Sequence, residues 1–410
     1  MRPGPGPGTA TGLLAAAPAV PTAVLLTVLL AFLLVAVAGC GTTTSPLPAQ
    51  ARPLPAEDSP QPRAEPPPPP KAPGSPAPGP AAPDSGDPDC NPRESLPPPA
   101  TLPPRGARGE RISAIEEYGY LRVGVSTDAL LFGSMDWRTA ELRGFDVDIA
   151  REVARAIFGS PDRVQFRAVD TRDRERVLAD GTVDMVVSTM TVTCARKERV
   201  RFSGVYYEAG MRLLVPAHSG FAAIGDLAGR RVCSAQGSTS VQKLAELLTG
   251  PRRPVPVSRV TVLDCLVALQ RGEIDAIATD DTLLAGMEAQ DSSLRLLGPE
   301  AFAEALPPGG LEMLSEPYGI AIARTDIPRA DAADSGAARS GSAHPDAARA
   351  ADDEFVRFLN RVLLDLMNDG RWARMYDTYL RGALGGPGIP PSRTQRNWPD
   401  GVLVSPPPAG

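Results

Sequence analysis

The sequence has little of what enzymatic catalysis and nucleic-acid binding usually require. Its 410 residues include only two histidines and 5% aromatic residues, and the net charge is −6. An acidic chain without a basic face has no general attraction for nucleic acid, and no zinc-like spacing of cysteine and histidine occurs. Neither His218 nor His344 lies where a buried general base is expected, and no nucleophile elbow, P-loop or dinucleotide fingerprint is present. We therefore expect no catalytic residue, no metal, no cofactor and no nucleic-acid partner.

The N-terminal segment is typical of exported lipoproteins. An apolar stretch over residues 24–38 is followed by Gly39 and Cys40. Small residues before a cysteine match a lipoprotein cleavage site, so residues 1–40 are predicted as a signal peptide that ends at Cys40, the lipidated residue. An uncleaved membrane anchor is the alternative, but the apolar stretch is short for a span. Two acyl chains on the cysteine suffice for stable anchoring.

Proline is concentrated near the N-terminus. More than half of the 46 prolines precede residue 110, and residues 41–109 are rich in proline, alanine, serine and glycine. Such a segment cannot bury a core, so we predict a disordered, semi-rigid tether there. A Pro/Gly-rich tail over residues 385–410 is also predicted to be disordered.

The cysteine count agrees with export. Once Cys40 is lipidated, Cys90, Cys194, Cys233 and Cys265 remain. An even number of cysteines in an oxidising compartment predicts two disulfides, for which three connectivities are possible. Buried free thiols are the alternative.

Two short segments repeat one pattern. Residues 178–189 (LADGTVDMVVST) and 269–280 (LQRGEIDAIATD) both contain Leu-x-x-Gly-x-x-Asp, followed by an apolar run that ends in a polar residue. Gly181 and Gly272 stand where a helix would end in a left-handed cap. Each unit therefore predicts a helix, a tight turn and a buried strand with a polar group at its carboxyl end, where open α/β sheets bind ligands. The repetition suggests two similar lobes that face one ligand.

Strands alternate with helices along the rest of the chain, which predicts an α/β fold with parallel or mixed sheets. The C-terminal helices need a sheet to cover, and the second block is complete without them. We predict that lobe 1 comprises residues 110–215 and 317–384, with a low-complexity insertion at 330–352, and that lobe 2 comprises residues 216–316. A cleft between hinged lobes is suited to a small ligand.

Arg196 is the sharpest candidate for ligand binding. It follows Thr189, Thr191 and Thr193, which alternate at the end of a predicted strand and should share a face. Hydroxyl groups that converge with an arginine fork suit a carboxylate. A surface arginine in an ion pair is the alternative.

Three further positions could contact the same ligand. Ser238 and Thr239 open a helix whose N–H groups favour an anion, although an ordinary N-cap explains the serine equally well. Asp280 ends the second repeat unit and could hold an ammonium group, whereas its neighbour Asp281 could cap the next helix. Phe145 could stack on the ligand, or belong to the core of an amphipathic helix.

These residues lie within a wider resemblance. The chain from about residue 120 to 384, without the insertion, resembles the family 3 extracellular solute-binding proteins of amino-acid ABC importers. Within that family it is similar to actinobacterial glutamate/glutamine-binding lipoproteins, which also have a cysteine segment like Cys90-Asn91-Pro92. The matching motifs, in family order, are LRVGV, GFDVDIA, DGTVDMVVSTMTVTCARKERVRFS, DLAGRRV, QGSTS, GEIDAIATDD, EPYGIAIA and NDGRWARMY.

The resemblance implies a two-lobed, type II periplasmic-binding-protein fold, in which each lobe is a mixed sheet flanked by helices and the ligand lies in the cleft. It implies that Arg196 holds the α-carboxylate with Thr191, Ser238 and Thr239. It also implies that Cys233 pairs with Cys265 and that Cys90 pairs with Cys194.

The resemblance further implies that Asp280 and Thr189 hold the α-ammonium and that Phe145 packs on the ligand. Two positions that would face the ligand side chain depart from relatives that bind acidic amino acids. Ser188 stands where those often have Arg or Lys, and Leu130 where they often have an aromatic residue. A missing cation argues against strong glutamate selectivity, because a buried carboxylate would need another partner.

The implied function is capture of a polar amino acid for an ABC importer. We expect a monomeric, extracytoplasmic lipoprotein, anchored to the outer face of the cell membrane, that passes glutamate, glutamine, aspartate or asparagine to a permease. A sensor that signals to a membrane or kinase partner is one alternative. A dehydratase on the same fold is another.

Overall fold

The computed structural model describes residues 90–136, 138–247, 253–327 and 345–391. The predicted signal peptide, Cys40, the tether up to residue 89 and the tail after residue 391 lie outside these ranges. Within them, every helix is too short or too polar to span a bilayer.

Twelve strands form the framework of the described residues. In chain order they are β1 (Leu121–Val125), β2 (Asp128–Ala129), β3 (Gly133–Asp136), β4 (Glu141–Arg143), β5 (Val164–Ala168), β6 (Met185–Val186), β7 (Val200–Pro216), β8 (Arg231–Ala235), β9 (Val255–Arg259), β10 (Ala276–Asp280), β11 (Leu294–Leu297) and β12 (Ser315–Ala323).

Helices flank these strands. They are α1 (Glu110–Tyr118), α2 (Phe145–Phe158), α3 (Arg174–Ala179), α4 (Cys194–Lys197), α5 (Thr239–Leu247), α6 (Val262–Gln270), α7 (Asp281–Glu288), α8 (Pro345–Asn368), α9 (Arg371–Tyr379) and α10 (Arg381–Leu384). Short 3-10 helices lie at Thr171–Asp173, Ile224–Leu227, Pro299–Ala305 and Gly310–Leu314.

Two mixed sheets share the long strand β7. In lobe 1 the strand order is β5-β1-β6-β12-β7, and in lobe 2 β7 pairs with β10 and β11, while β8 and β9 continue from β10. β7 pairs with β12 up to Gly210 and with β10 from Met211 onward. The predicted two-lobed α/β fold is confirmed. Buried β-branched and aromatic residues extend β7 over 17 residues, from Val200 to Pro216.

Apolar clusters cover both faces of each sheet. The C-terminal helices contribute to the largest of them: Phe355 and Trp372 pack with Ile149 and Val153 of α2 in lobe 1. Helix α8 already begins at Pro345, so the end of the expected insertion 330–352 is helical. The reason is tertiary, because the buried Asp352 accepts hydrogen bonds from Arg111 and Thr325.

Residues 90–109, here called the strap, pack on lobe 1, so the prediction of a disordered tether is wrong for this part. Ser95 is buried and donates to the carbonyl of Phe202 (3.1 Å), and its hydroxyl accepts from Asn360 (3.0 Å). The proline-rich composition does not indicate this packing, because the contacts come from residues that are distant in the sequence.

The strap also contacts the strands that join the lobes. Arg93 pairs with Glu208 of β7 and donates to the hydroxyl of Ser315 of β12 (2.7 Å). Its Cys90 forms a disulfide with Cys194 of α4. The second disulfide joins Cys233 and Cys265 within lobe 2, which gives the connectivity that the resemblance implies.

The first repeat unit is hydrogen-bonded to β1 just before its own strand, β6, begins. The main-chain N–H of Arg122 donates to the carboxylate of Asp184 (2.8 Å), and its guanidinium donates to the carbonyl of Gly181 (2.9 Å) and pairs with Asp184. Gly181 has a φ of +66°, as the predicted turn requires.

The second repeat unit uses the same fastening to β8. The N–H of Arg231 donates to Asp275 (2.7 Å), and its guanidinium donates to the carbonyl of Gly272 (2.9 Å). The aspartate of the Leu-x-x-Gly-x-x-Asp pattern is therefore a structural residue in both lobes.

Candidate functional site

A pocket lies between the two lobes, and polar side chains from both of them line it. Lobe 1 contributes seven residues to its lining, which are Ser126, Asp128, Ala129, Thr171, Arg174, Thr189 and Thr191. Lobe 2 contributes seven more, which are Ala235, Ser238, Thr239, Val262, Thr279, Asp280 and Leu283.

The lobes also touch each other directly beside the pocket. Arg172 of lobe 1 donates to the side chain of Gln236 in lobe 2 (3.0 Å). Gly237, with a φ of +75°, lies so close to lobe 1 that an added Cβ would be 2.7 Å from the Cα of Arg172. Only glycine fits this conformation and this close approach.

The threonine segment after β6 differs from the prediction. Strand β6 ends at Val186, and Thr189 has a φ of +40°. Thr189 and Thr191 line the pocket, but Thr193 instead caps α4 by accepting the N–H of Arg196 (3.2 Å). The expected alternation of three threonines on one face is wrong because the left-handed residue breaks the strand.

Arg174 is the lining cation that the sequence analysis missed. It is 3% exposed, and its guanidinium donates to the carbonyls of Ser188 (2.7 Å), Thr189 (3.2 Å) and Thr171 (2.9 Å). Burial, followed by the charge of Arg196, lowers the pKa of Arg174 to about 9. Its position as the first residue of α3 was a usable signal, since a cation is disfavoured at a helix N-terminus.

Ser188 contributes main chain rather than side chain to this arrangement. It is buried, and its carbonyl accepts from Arg174. Arg174 thus places a cation beside Ser188.

Arg196 lies directly behind the pocket lining. It is buried, and it donates to the carbonyls of Thr191 (2.6 Å) and Gly237 (3.0 Å), so it links the two lobes. Its Nε lies 3.7 Å from Glu175, and burial lowers its pKa. The alternative of an exposed surface arginine is wrong, but Arg196 itself is not among the lining residues.

The start of α5 brings Ser238 and Thr239 to the pocket. The Ser238 hydroxyl accepts the N–H of Val241 (3.4 Å), as an N-cap does. The Thr239 hydroxyl donates to the fully buried Glu316 (2.8 Å), which is also paired with Lys243 (2.8 Å). This network fixes the orientation of the Thr239 side chain.

Asp280 is the buried acid on the lobe 2 side of the pocket. It ends β10, and its carboxylate accepts the hydroxyl of Tyr318 (2.6 Å). Burial, followed by repulsion from Glu316, raises the pKa of Asp280 to about 8. Asp281 faces another way and accepts the N–H groups of Thr282 (2.8 Å) and Gly210 (3.2 Å).

Asp128 supplies a second acid, on the lobe 1 side, which the sequence analysis did not single out. It follows β1 and is hydrogen-bonded to the hydroxyl of Ser126. A polar residue just beyond the carboxyl end of the first strand was an available signal, since ligands bind at such ends.

Like Arg196 and Ser188, two other predicted ligand contacts, Phe145 and Leu130, are not among the lining residues. Phe145 is fully buried in an aromatic cluster, with its ring 5.4 Å from those of Phe132 and Trp372. The helical spacing placed it in the core, as the alternative held. Leu130 packs across the cleft, with its Cβ 3.1 Å from the position of a Cβ on Gly286.

The charges of the site suit a zwitterion. Arg174 and Arg196 lie at or behind one part of the lining, whereas Asp280 lies at the end of β10 in the other lobe. A carboxylate and an ammonium group on one small molecule would complement both signs. Among the described residues, no group of three or more His, Cys, Asp or Glu side chains could hold a metal ion.

Comparison with known proteins agrees with this geometry. The family model of the bacterial extracellular solute-binding proteins, family 3, matches residues 121–382. The ABC transporter glutamine-binding protein GlnH of Bacillus subtilis is 34% identical over 276 residues, which cover 67% of this chain and 86% of that protein. The glutamate-binding protein GluB of Corynebacterium efficiens is 29% identical over 262 residues, which cover 62% of this chain and 82% of that protein.

Solved structures show the same architecture. The solute receptor for L-cysteine of Neisseria gonorrhoeae matches with a TM-score of 0.53 and 22% identity, covering 67% of this chain and 95% of that one. A mutant of the arginine-binding protein of T. maritima matches with a TM-score of 0.51 and 25% identity, covering 66% and 99%.

Proposed function

We propose that this chain, which belongs to the bacterial extracellular solute-binding proteins of family 3, captures an amino acid with a polar side chain between its lobes. The observation that carries the proposal is the interlobe pocket, which holds a buried acid from one lobe and a buried arginine from the other. Relatives named as glutamine- and glutamate-binding proteins support the same class of ligand.

Asp280 and Thr189 would hold the α-ammonium group. Asp280 needs to be ionised for this role, and an ammonium group would stabilise its carboxylate in place of the proton that it retains near pH 7. Thr189 lines the opposite side of the pocket and offers a hydroxyl and a carbonyl.

Arg196 would hold the α-carboxylate, together with Thr191, Ser238 and Thr239. Its guanidinium already contacts the carbonyls of Thr191 and Gly237, so closure of the lobes and binding of the carboxylate are coupled. A planar fork with five donors can keep these bonds and still donate to a carboxylate.

The remaining pair of charges favours an amide side chain. Arg174 can donate to an amide oxygen, and Asp128 can accept from an amide nitrogen. A second carboxylate would meet repulsion from Asp128, whereas a second cation would meet Arg174. We therefore propose glutamine and asparagine ahead of glutamate and aspartate.

The cellular role that we propose is delivery to an ABC permease. The protein would act as a monomer outside the cytoplasm, held on the outer face of the membrane by a lipid on Cys40. The Bacillus subtilis relative is named as an ABC transporter binding protein, which favours import over the sensor and over the dehydratase.

Calorimetric titration of the purified protein with glutamine, asparagine, glutamate and aspartate tests the proposal. We expect glutamine to bind at least about tenfold more tightly than glutamate. Asp128 can accept a hydrogen bond from the amide nitrogen of glutamine, which glutamate lacks, and one charged hydrogen bond contributes about that factor. Tighter binding of glutamate would overturn the side-chain assignment alone. No binding of any of the four would overturn the proposed function.

A further inference from the structure

Asp146 is a buried charged residue that has no part in the pocket lining. It is the second residue of α2 and is 1% exposed. One carboxylate oxygen accepts the main-chain N–H of Thr189 (2.7 Å), and the other accepts the hydroxyl of Tyr206 (2.6 Å). A buried carboxylate is costly, so its contact with a pocket residue needs an explanation.

Thr189 has a conformation that a threonine rarely adopts. Among the described residues, Thr189 and Ala140 are the non-glycine residues with positive φ, at +40° and +55°. A β-branched side chain in this region is strained, so the surrounding structure must hold it. Glycine would remove the strain, but it would also remove the hydroxyl that lines the pocket.

The peptide groups around Thr189 are held from two sides. Asp146 accepts the N–H of Thr189, and Arg174 donates to the carbonyls of Thr189 (3.2 Å) and Ser188 (2.7 Å). Without the Asp146 contact, the N–H would be left unsatisfied and the residue could relax to negative φ. That relaxation would turn the Thr189 side chain away and shift the carbonyls that hold Arg174.

We propose that Asp146 is a positioning residue that fixes Thr189 in its left-handed conformation and so aims Thr189 at the ligand ammonium, without touching the ligand. The ligand part of this proposal rests on the proposed function. The conformational part does not.

Burial raises the pKa of Asp146 to about 7, against the hydrogen bonds from Tyr206 and Thr189. The protonated acid still has one oxygen that can accept from Thr189. The support for Thr189 therefore needs an acceptor at this site and does not need a negative charge.

Three variants separate positioning from simple structural support. Asp146→Ala should weaken glutamine binding by about 5- to 100-fold, because the buried N–H of Thr189 loses its acceptor and Thr189 then leaves the conformation that aims it at the ligand. Asp146→Asn should bind within about threefold of the natural protein, since its amide can accept from Thr189 and donate to Tyr206. Tyr206→Phe removes the other hydrogen bond of the same carboxylate and should lower the melting temperature with less than about a threefold change in affinity.

Thr189→Gly supplies the matching background. Glycine adopts positive φ without strain, so the loss caused by Asp146→Ala should shrink to less than about threefold when Thr189→Gly is already present. An undiminished loss would contradict the proposal. If Asp146→Ala does not fold, Asp146→Ser takes its place. The serine side chain is one bond shorter than that of aspartate, so its hydroxyl cannot reach the N–H of Thr189.

Crystal structures of the variants without ligand give a result that is independent of binding. We expect a positive φ at Thr189 in Asp146→Asn and a negative φ in Asp146→Ala. A positive φ in both would overturn the proposal even if the natural protein binds glutamine. If the φ values change as expected while the natural protein binds no amino acid, the proposed function fails and the positioning role stands.

Discussion

The two repeat units begin in the same way and end differently. In both, an arginine of the neighbouring strand donates hydrogen bonds to the aspartate and to the glycine carbonyl of the turn. In the second unit the strand then continues to Asp280, with ladder hydrogen bonds to β7 up to its last residue. In the first unit the strand stops at Val186, and side chains from α2 and α3 hold the segment that lines the pocket.

This difference shows that the shared pattern specifies the turn and the start of the strand in each lobe. It does not specify the structure of the segment that follows and lines the pocket. A strand end supplies a rigid carboxylate in lobe 2. An irregular segment in lobe 1 supplies hydroxyl and carbonyl groups whose positions depend on Asp146 and Arg174. The comparison can be tested by damaging each end separately.

The largest effect is expected at the strand end. Asp280→Asn should weaken amino-acid binding by about 30-fold to several thousandfold, because the ammonium group loses its buried carboxylate. Calorimetry measures this loss. Asp281→Asn is the matched control, since Asp281 accepts the main-chain N–H groups of Thr282 and Gly210 and does not line the pocket, and it should lower stability while changing affinity by less than about threefold. Equal losses in both variants would contradict the role of Asp280.

A smaller effect is expected from the support of the irregular end. Arg174→Met should weaken glutamine binding by about 10- to 100-fold, through the loss of a charged hydrogen bond to the side-chain amide. Norvaline, which lacks the amide, should lose less affinity than glutamine, because for norvaline only the support that Arg174 gives to the Thr189 carbonyl is removed. Equal losses for both ligands would contradict a contact between Arg174 and the ligand side chain.

Arg172→Met is the control for that measurement. Arg172 lies two residues earlier and is not among the residues that line the pocket, and its guanidinium donates to the side chain of Gln236. It should not alter the ratio of the affinities for glutamine and norvaline.

The smallest effect is expected where the lobes meet. Gly237→Ala should weaken binding by about 5- to 30-fold, because a Cβ there is strained and collides with Arg172 as the cleft closes. Gly272→Ala has a similar φ of +69°, and its Cβ meets nothing within 4 Å. It should therefore lower the melting temperature while leaving affinity within about threefold. A drop in affinity for Gly272→Ala would show that the turn of the second unit does more than shape the framework.

Much of the framework follows from local sequence. The helix at Phe145–Phe158, the turns at Gly181 and Gly272 and the strand that ends at Asp280 all have a periodicity or a glycine that predicts them. These features depend on neighbours in the chain, so the sequence displays them directly.

The supporting residues were harder to predict because their environment comes from distant parts of the chain. Asp146 looks like a polar position at a helix start, but β7 and the segment after β6 bury it. Arg174 looks like part of a charged helix until Ser188 and Thr189 enclose it. The strap looks like a linker until Phe202 and Asn360 satisfy its polar groups.

The disulfide between Cys90 and Cys194 determines where mechanical load enters this fold. A pull on the chain ahead of Cys90 passes through the covalent bond into α4, the short helix that also carries Arg196. Such a load enters lobe 1 first, at an edge of the cleft. Lobe 2 receives it through β7 and β12 and through the hydrogen bonds of Arg172 and Arg196 to Gln236 and Gly237.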